Sequence, residues 1–374
     1  MRTVVTYSHI ELPVLAWGLD SIRSFIPWAK EHGRRAFIVS DLIYDDFGYH
    51  SRVSQLLKTA GIDSIIFSDI SYKNDYEDII RMVEVYRASR SDILVGLGGS
   101  NALTIASIIA SSCGKEERLS LMMRNKPDTP GRPCAKIPVA FRVPYLFSDR
   151  VFLRTGDASA CFVNLADSPS IVIADSYFLQ SMPHKTAASM MISIVADCVS
   201  AILEPELSAF YRAFAMESLR IAGKICEKSI ITDSENELES LRSFQLDAGI
   251  LSSLALSSYY PVVSVLSSAL YSVAGISRSW ANSVFFSNFI LNVSDSSFSA
   301  LGAACEALGL IGLDEDIAAS ELSRFVISLV ERAGFAIRLR DFGISREQLE
   351  AAVVLASSTG CDQSLLTDIA ARSW

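Results

Sequence analysis

The side chains of this chain that could do chemistry are few and widely spread. Its four histidines, His9, His32, His50 and His184, include no pair at a spacing that would bring two imidazoles onto one metal ion. Its seven cysteines, at 113, 134, 161, 198, 226, 305 and 361, form no Cys-x-x-Cys pair and sit mostly among apolar or small residues. They read as reduced packing thiols of a cytoplasmic protein. The clearest local signal is Ile93-Leu-Val-Gly-Leu-Gly-Gly-Ser100. An apolar strand running into Gly98, Gly99, Ser100 and Asn101, and then into a helix, turns free backbone N–H groups and the positive end of a helix dipole toward one point, as a phosphate requires. The same glycines would equally serve a tight strand-to-helix turn kept for packing, and both readings stand. His9, His32 and His50 read as surface residues. His184 follows Pro183 at the start of a long helix, where it is either a catalytic group or a plain helix-start residue.

Such a turn needs a parallel sheet with crossover helices to hold it, and the first half of the chain alternates accordingly. Residues 36–40, 64–67, 92–97, 136–141 and 171–175 read as strands, and 46–60, 75–90 and 101–112 as helices. Residues 150–165 have the alternation of a hairpin turning near Gly156-Asp157. From about 178 onward helical periodicity takes over, with Pro183 placed to open a long helix. The expected architecture is an α/β N-terminal domain with a parallel Rossmann-like sheet, residues 1–178, followed by an all-α C-terminal domain, residues 179–374.

With 374 residues, half of them apolar, the chain can build two cores of ordinary size. It carries 33 Lys and Arg against 42 Asp and Glu, a net charge of -9, with no basic cluster, so a nucleic-acid partner is not expected. The most apolar helix candidate, 186–203, contains Asp197 and several serines, which argues against a membrane span. The opening stretch Met1-Arg-Thr-Val-Val-Thr-Tyr-Ser-His9 has no long apolar run before a small-residue cleavage site, so no signal peptide is expected.

Several segments, in order and spacing, carry a family resemblance. Phe37-Ile-Val-Ser-Asp41, Ile93–Ser100, Ile173-Ala-Asp175, Met182-Pro183, Thr186-Ala-Ala188, Ala281-Asn282 and Phe335-Ala-Ile-Arg-Leu-Arg-Asp-Phe-Gly-Ile344 resemble successive parts of the iron-type alcohol dehydrogenases, of the dehydroquinate-synthase-like superfamily. The resemblance covers nearly the whole chain and implies a nicotinamide dinucleotide on the glycine turn, a metal ion in the interdomain cleft, and a homodimer paired through sheet edges. The chain departs from the pattern at each functional position. At the first turn the family has three glycines and a serine, then an Asp and a Lys along the helix. Here two glycines remain, with Thr104 and Ser107 at the charged positions. After Ile137-Pro138 the family has a Thr- and Gly-rich loop around the cofactor. Here the residues are Val139-Ala-Phe-Arg-Val-Pro-Tyr-Leu-Phe147, with bulky Phe141, Arg142 and Tyr145 where glycines admit the ligand. Arg142 and Tyr145 either hold a different anionic ligand or serve exposed or packing roles.

The family's metal ligands, an Asp and a His one helical turn apart and two further His, fall on Ile192, Ala196, Ser268 and Arg278. Aliphatic side chains do not ligate and a guanidinium has no lone pair to give, so no metal is expected. Arg278 puts a fixed positive charge near the cation's place. It either polarises a carbonyl or clamps a carboxylate or phosphate, or it faces solvent, or it pairs with an acid and fills the space. Three functions follow as expectations. One is a non-catalytic protein that binds a small molecule or a protein partner. Another is a different reaction in the same cleft, drawing on Arg142, Tyr145, His184, Lys185 and Arg278. The third is a metal-independent NAD(P)-dependent oxidoreductase of a small alcohol or carbonyl compound, with Asp41, Gly98, Gly99, Ser100 and Asn101 holding the cofactor.

Overall fold

Short apolar runs bounded by turn residues become strands, and the amphipathic stretches between them become crossover helices. The computed structural model describes residues 12–71, 75–166, 170–231, 235–292 and 297–374. The N-terminal part runs β1 (Val14–Trp17), α1 (Phe25–His32), β2 (Arg35–Ser40), α2 (Ile43–Asp46), α3 (Tyr49–Thr59), β3 (Asp63–Phe67), α4 (Tyr76–Ser89), β4 (Ile93–Gly98), α5 (Ser100–Ser112), α6 (Glu116–Met122) and β5 (Cys134–Pro138). A hairpin of β6 (Arg150–Gly156) and β7 (Ser159–Asn164) precedes β8 (Ile171–Ala174). The rest is helical: α7 (His184–Leu203), α8 (Ala209–Ile231), α9 (Glu235–Ala255), α10 (Val262–Ala274), α11 (Arg278–Phe289), α12 (Phe298–Leu308), α13 (Glu315–Arg332), α14 (Arg346–Ser357) and α15 (Gln363–Ser373).

Six strands form one parallel sheet in the order β1-β8-β5-β4-β2-β3. Successive residues of β2 and β4 point to opposite faces and both faces are covered, which is why these strands read as unbroken apolar runs. Ala36, Ile38, Ile93, Val95 and Leu97 pack with Phe25, Trp28, Val53 and Leu57 from α1 and α3. Phe37, Val39 and Leu94 pack on the other face with α4 and α5, in a core that continues without a break into the helical part. The change at the end of β8 is thus one of element type, across a shared core. Helix α7 is long and apolar enough to cross a membrane by length and composition, but 89% of its apolar window is buried inside the molecule, as a core helix requires.

Several elements differ from the expectation: α2 and α6 are short helices not foreseen, and the helix expected over 46–60 is α3, Tyr49–Thr59. β1, a short edge strand with Val14 and Trp17 exposed, has too little apolar periodicity to stand out. β5 ends at Pro138 rather than at 141, because the chain then leaves the sheet as a buried loop. The N-terminal stretch with His9 lies outside the described residues. The chain passes from β2 outward to β3, then returns across β2 to β4 and continues the other way to β5. The C-terminal ends of β2 and β4 therefore flank the topological switch point, where open α/β sheets form their ligand crevice.

Candidate functional site

At that switch point a cleft of about 490 Å³ opens between the sheet and the helices. Asp41, at the end of β2, and Gly99, Ser100 and Asn101, at the start of α5, line its sheet side. Pro183 just before α7, Thr186 and Met190 within it, Tyr271 of α10 and Ser277, Arg278 and Ser279 at the start of α11 line its helical side. The structure thus gathers Asp41, Gly99, Ser100, Asn101, Arg142 and Arg278 on one cavity.

Sterics fix the glycine turn. A Cβ on Gly98 would lie 2.8 Å from the Cβ of Ala102 and 2.8 Å from Oδ2 of Asp41, so packing alone requires glycine there. Beside Gly99 the nearest atom to an added Cβ is the Tyr44 hydroxyl at 3.9 Å, so this residue opens to the cleft. The Asp41 carboxylate lies near the Gly99 amide, so the protein's own anion stands by the N-terminus of α5. Burial raises the Asp41 pKa above the usual carboxylate value, against the hydrogen bond from Gly99 and the nearby Arg278 and His50. Burial, with the Asp41 charge beside it, also raises the pKa of the Tyr44 phenol. Asn101 donates from Nδ2 to the Ser71 carbonyl at 2.7 Å.

The loop 139–147 decides what this side of the cleft can take. Its side chains are buried, Val139 in the sheet core and Ala140, Phe141, Val143 and Tyr145 to Phe147 in the core shared with the helical part. A Cβ on Gly249 of α9 would stand 1.9 Å from the carbonyl oxygen of Phe141, so loop and helix touch backbone to backbone. Ser253 Oγ, one turn along α9, donates to the Val143 carbonyl at 2.9 Å. From the sheet side Lys136 Nζ donates to the Leu146 carbonyl at 3.0 Å and to that of Tyr145 at 3.4 Å. Lys136 has no surface exposed beyond 1%, and burial lowers its pKa to about 8.

Within the loop, Arg142 is neither exposed nor a plain packing residue. Its Nε and Nη2 donate to Oδ2 and Oδ1 of Asp197 on α7, at 2.7 and 3.1 Å, in a fork that bridges sheet part and helical part. Asp197 Oδ1 also accepts from Ser264 Oγ at 2.6 Å and Asn282 Nδ2 at 2.9 Å. The guanidinium borders the cleft, but its charge is already matched. Tyr145 does not line the cleft. Its ring lies against Tyr260, with centroids 5.6 Å apart, and burial raises the phenol's pKa.

Arg278 does line the cleft. Its guanidinium lies over the ring of Tyr271, 4.2 Å from the centroid, and its Nε is buried with no hydrogen-bond partner. Burial lowers its pKa, which the phenols of Tyr271 and Tyr145 oppose. Ile192 and Ala196 are buried in the apolar core, and Ser268 Oγ donates to the Ser264 carbonyl of its own helix at 2.9 Å. Those three positions do not line the cleft beside Arg278. Among the described residues no three His, Cys, Asp or Glu side chains gather at metal-binding range. His184 opens α7 half-buried, outside the cleft lining, with its Nε2 buried and unpartnered. Lys185 is exposed and reaches toward Gly334, away from the cleft.

His50 corrects the surface reading given to it. It is 4% exposed, with Nε2 2.8 Å from Ser40 Oγ and Nδ1 3.4 Å from Asp45. The row Ser40, His50, Asp45 has the residue types of a hydrolytic triad, but Ser40 is wholly buried and does not line the cleft. Sequence reading missed Tyr271, Lys136, Gly249 and Ser253. A lysine inside a strand that is otherwise apolar was the one signal available, and it sat at Lys136.

The sequence model of the iron-containing alcohol dehydrogenases matches residues 14–140. No curated protein matches the chain by sequence. Solved structures match it along its length. An alcohol dehydrogenase from Oenococcus oeni superposes with a TM-score of 0.86 at 13% identity, covering 98% of this chain and 100% of that one. An iron-containing alcohol dehydrogenase from Thermotoga maritima gives 0.80 at 16% identity, covering 97% and 98%. A sulfoacetaldehyde reductase from Bifidobacterium kashiwanohense, solved in complex with NAD+, gives 0.78 at 16% identity, covering 96% of each. At such identities the likeness concerns the fold.

Proposed function

We propose that this chain, which has the fold of the iron-containing alcohol dehydrogenases and their sequence pattern over residues 14–140, is a metal-free relative that binds a small ligand in its interdomain cleft and does not run metal-dependent alcohol oxidation. The donor set supports the first half of this reading. In the sequence register the family's ligand positions fall on Ile192, Ala196, Ser268 and Arg278, of which Arg278 alone lines the cleft, and they offer two hydrocarbons, a hydroxyl already donated to its own helix, and a cation. They do not fit a divalent metal, and no step is routed through one.

The single observation that carries the second half is the loop 139–147. In place of a flexible stretch that admits a dinucleotide, it is a buried wedge whose carbonyls are taken by Lys136 and Ser253 and whose backbone lies on Gly249. These bonds and the Arg142–Asp197 fork hold the loop in place along this side of the cleft. Titration with NADH and NADPH, followed by nicotinamide fluorescence and by melting temperature, tests this. The expected result is no saturable signal with either. A melting rise that grows with nucleotide, equivalent to ~2.7 kcal/mol at a hundredfold excess over Kd, would overturn it. Elemental analysis is expected to find iron and zinc well below one per chain.

A second reading draws on a different observation. Asp41 and the Gly98–Ser100 turn still stand together at the switch point, where a ribose and a pyrophosphate would lie. With NAD(P) there, Arg278 would polarise the carbonyl of a small substrate, giving a metal-independent oxidoreductase. The same titration separates the two readings.

A further inference from the structure

We propose that the ligand of the cleft is a small organic acid, its carboxylate held by Arg278 at the head of α11 and its body laid on the apolar wall formed by Ile43, Phe47, Val139 and Met190. This rests on the reading of the cleft as a ligand site free of metal and dinucleotide.

Three helices begin at this one cavity. The starts of α5 at Gly99 and Ser100, of α7 at Pro183, and of α11 at Ser277 and Arg278 all line it. Each helix start presents roughly half a positive charge. Asp41, near the Gly99 amide, already stands by the first. Arg142, the other lining cation, is matched by Asp197. Among the described residues that line the cleft, Asp41 is the sole carboxylate, and no ion pair within 4.0 Å joins it to Arg278. Ser277 caps the start of α11 and Asp41 acts on Arg278 only at a distance, so Arg278 keeps no direct carboxylate partner and the start of α7 has no side-chain cap.

The geometry of Arg278 selects the ligand's shape. Its guanidinium is held flat by the Tyr271 ring, and its Nε is a buried donor with no acceptor. A planar carboxylate in the cleft would take the two terminal nitrogens of this fixed guanidinium in parallel hydrogen bonds. The apolar neighbours favour an acid on a hydrocarbon body over a free inorganic anion.

Calorimetric titration of the whole protein tests this with phenylacetate and hexanoate, against 2-phenylethanol and hexanol as uncharged counterparts and inorganic phosphate as a bodiless anion. The acids are expected to bind saturably, and the alcohols and phosphate at least tenfold more weakly. Arg278→Gln is expected to weaken acid binding tenfold or more, with Arg278→Lys in between, because an ammonium keeps the charge and loses the fork. Should Arg278→Gln fail to fold by circular dichroism, Tyr271→Leu, which removes the platform, is expected to weaken the acids at least threefold. No acid binding, equal binding to acid and alcohol, preference for phosphate, or undiminished acid binding in a folded variant would each overturn the proposal. A saturable NADH signal would sink the earlier reading while the contrast of acid and alcohol is still measured independently; no NADH signal and no acid binding would sink the ligand class alone.

Discussion

The buried fork between Arg142 and Asp197 gives the sharpest energetic prediction. The two side chains are 4% and 0% exposed, and Asp197 holds two further donors, Ser264 and Asn282. Arg142→Met leaves a carboxylate in the core with two neutral hydrogen bonds and no counter-charge, which is expected to cost ~3–5 kcal/mol. Asp197→Leu strands a guanidinium and is expected to cost a similar amount. The double variant removes both charges, while Asn282 keeps Ser193 Oγ at 2.7 Å and Ser264 keeps Asn282 Oδ1 at 3.3 Å. Its loss is expected to be ~1–2 kcal/mol, so the coupling in the cycle is about 3 kcal/mol or more. Urea unfolding is the assay, since guanidinium chloride would screen the charges under study. Midpoints read at unchanged m give the differences. A loss below ~1 kcal/mol for Arg142→Met, or two single losses that simply add in the double variant, would refute the argument that this pair fastens the loop to α7.

Three further outcomes follow from the same loop. Gly249→Ala puts a Cβ 1.9 Å from the Phe141 carbonyl, where only backbone can yield, so urea unfolding should show a loss of about 3 kcal/mol or more; a loss near zero would mean the loop does not lie on α9. Ser253→Ala removes the hydrogen bond to the Val143 carbonyl and should cost ~1 kcal/mol by the same assay. For Lys136, burial lowers the folded pKa to about 8 from the ordinary 10.5, so between those values the unfolded chain holds more protons and stability rises with pH. The rise should total ~3 kcal/mol, absent in Lys136→Met; urea midpoints from pH 7 to pH 10.5 that change in parallel for both proteins would contradict it.

Much of the fold was legible in the residues. The alternation of apolar runs with amphipathic stretches marked β2, β3, β4, β5 and β8 and several of the helices between them, because strands covered on both faces leave unbroken apolar runs while crossover helices leave a helical period. The glycine turn and the wholesale change to helix beyond β8 were equally plain, since both depend on local backbone demands. The residue types at the cleft were also visible: a shortened glycine turn, a bulky loop in place of a glycine-rich one, and Arg278.

What each of those residues does was settled only by the tertiary structure. Sequence spacing within one element cannot say that Arg142 in a loop meets Asp197 on α7, that Gly249 lets α9 approach Phe141, or that His50 turns inward to Ser40 while Lys185 turns out. Such pairs lie far apart in the chain, and a charge is matched or left open by what packs against it from another element. Arg142 and Arg278 are the same residue type on the same cleft, yet one is neutralised and the other has a buried Nε with no acceptor. Their surroundings, which are a property of the folded core, make that difference.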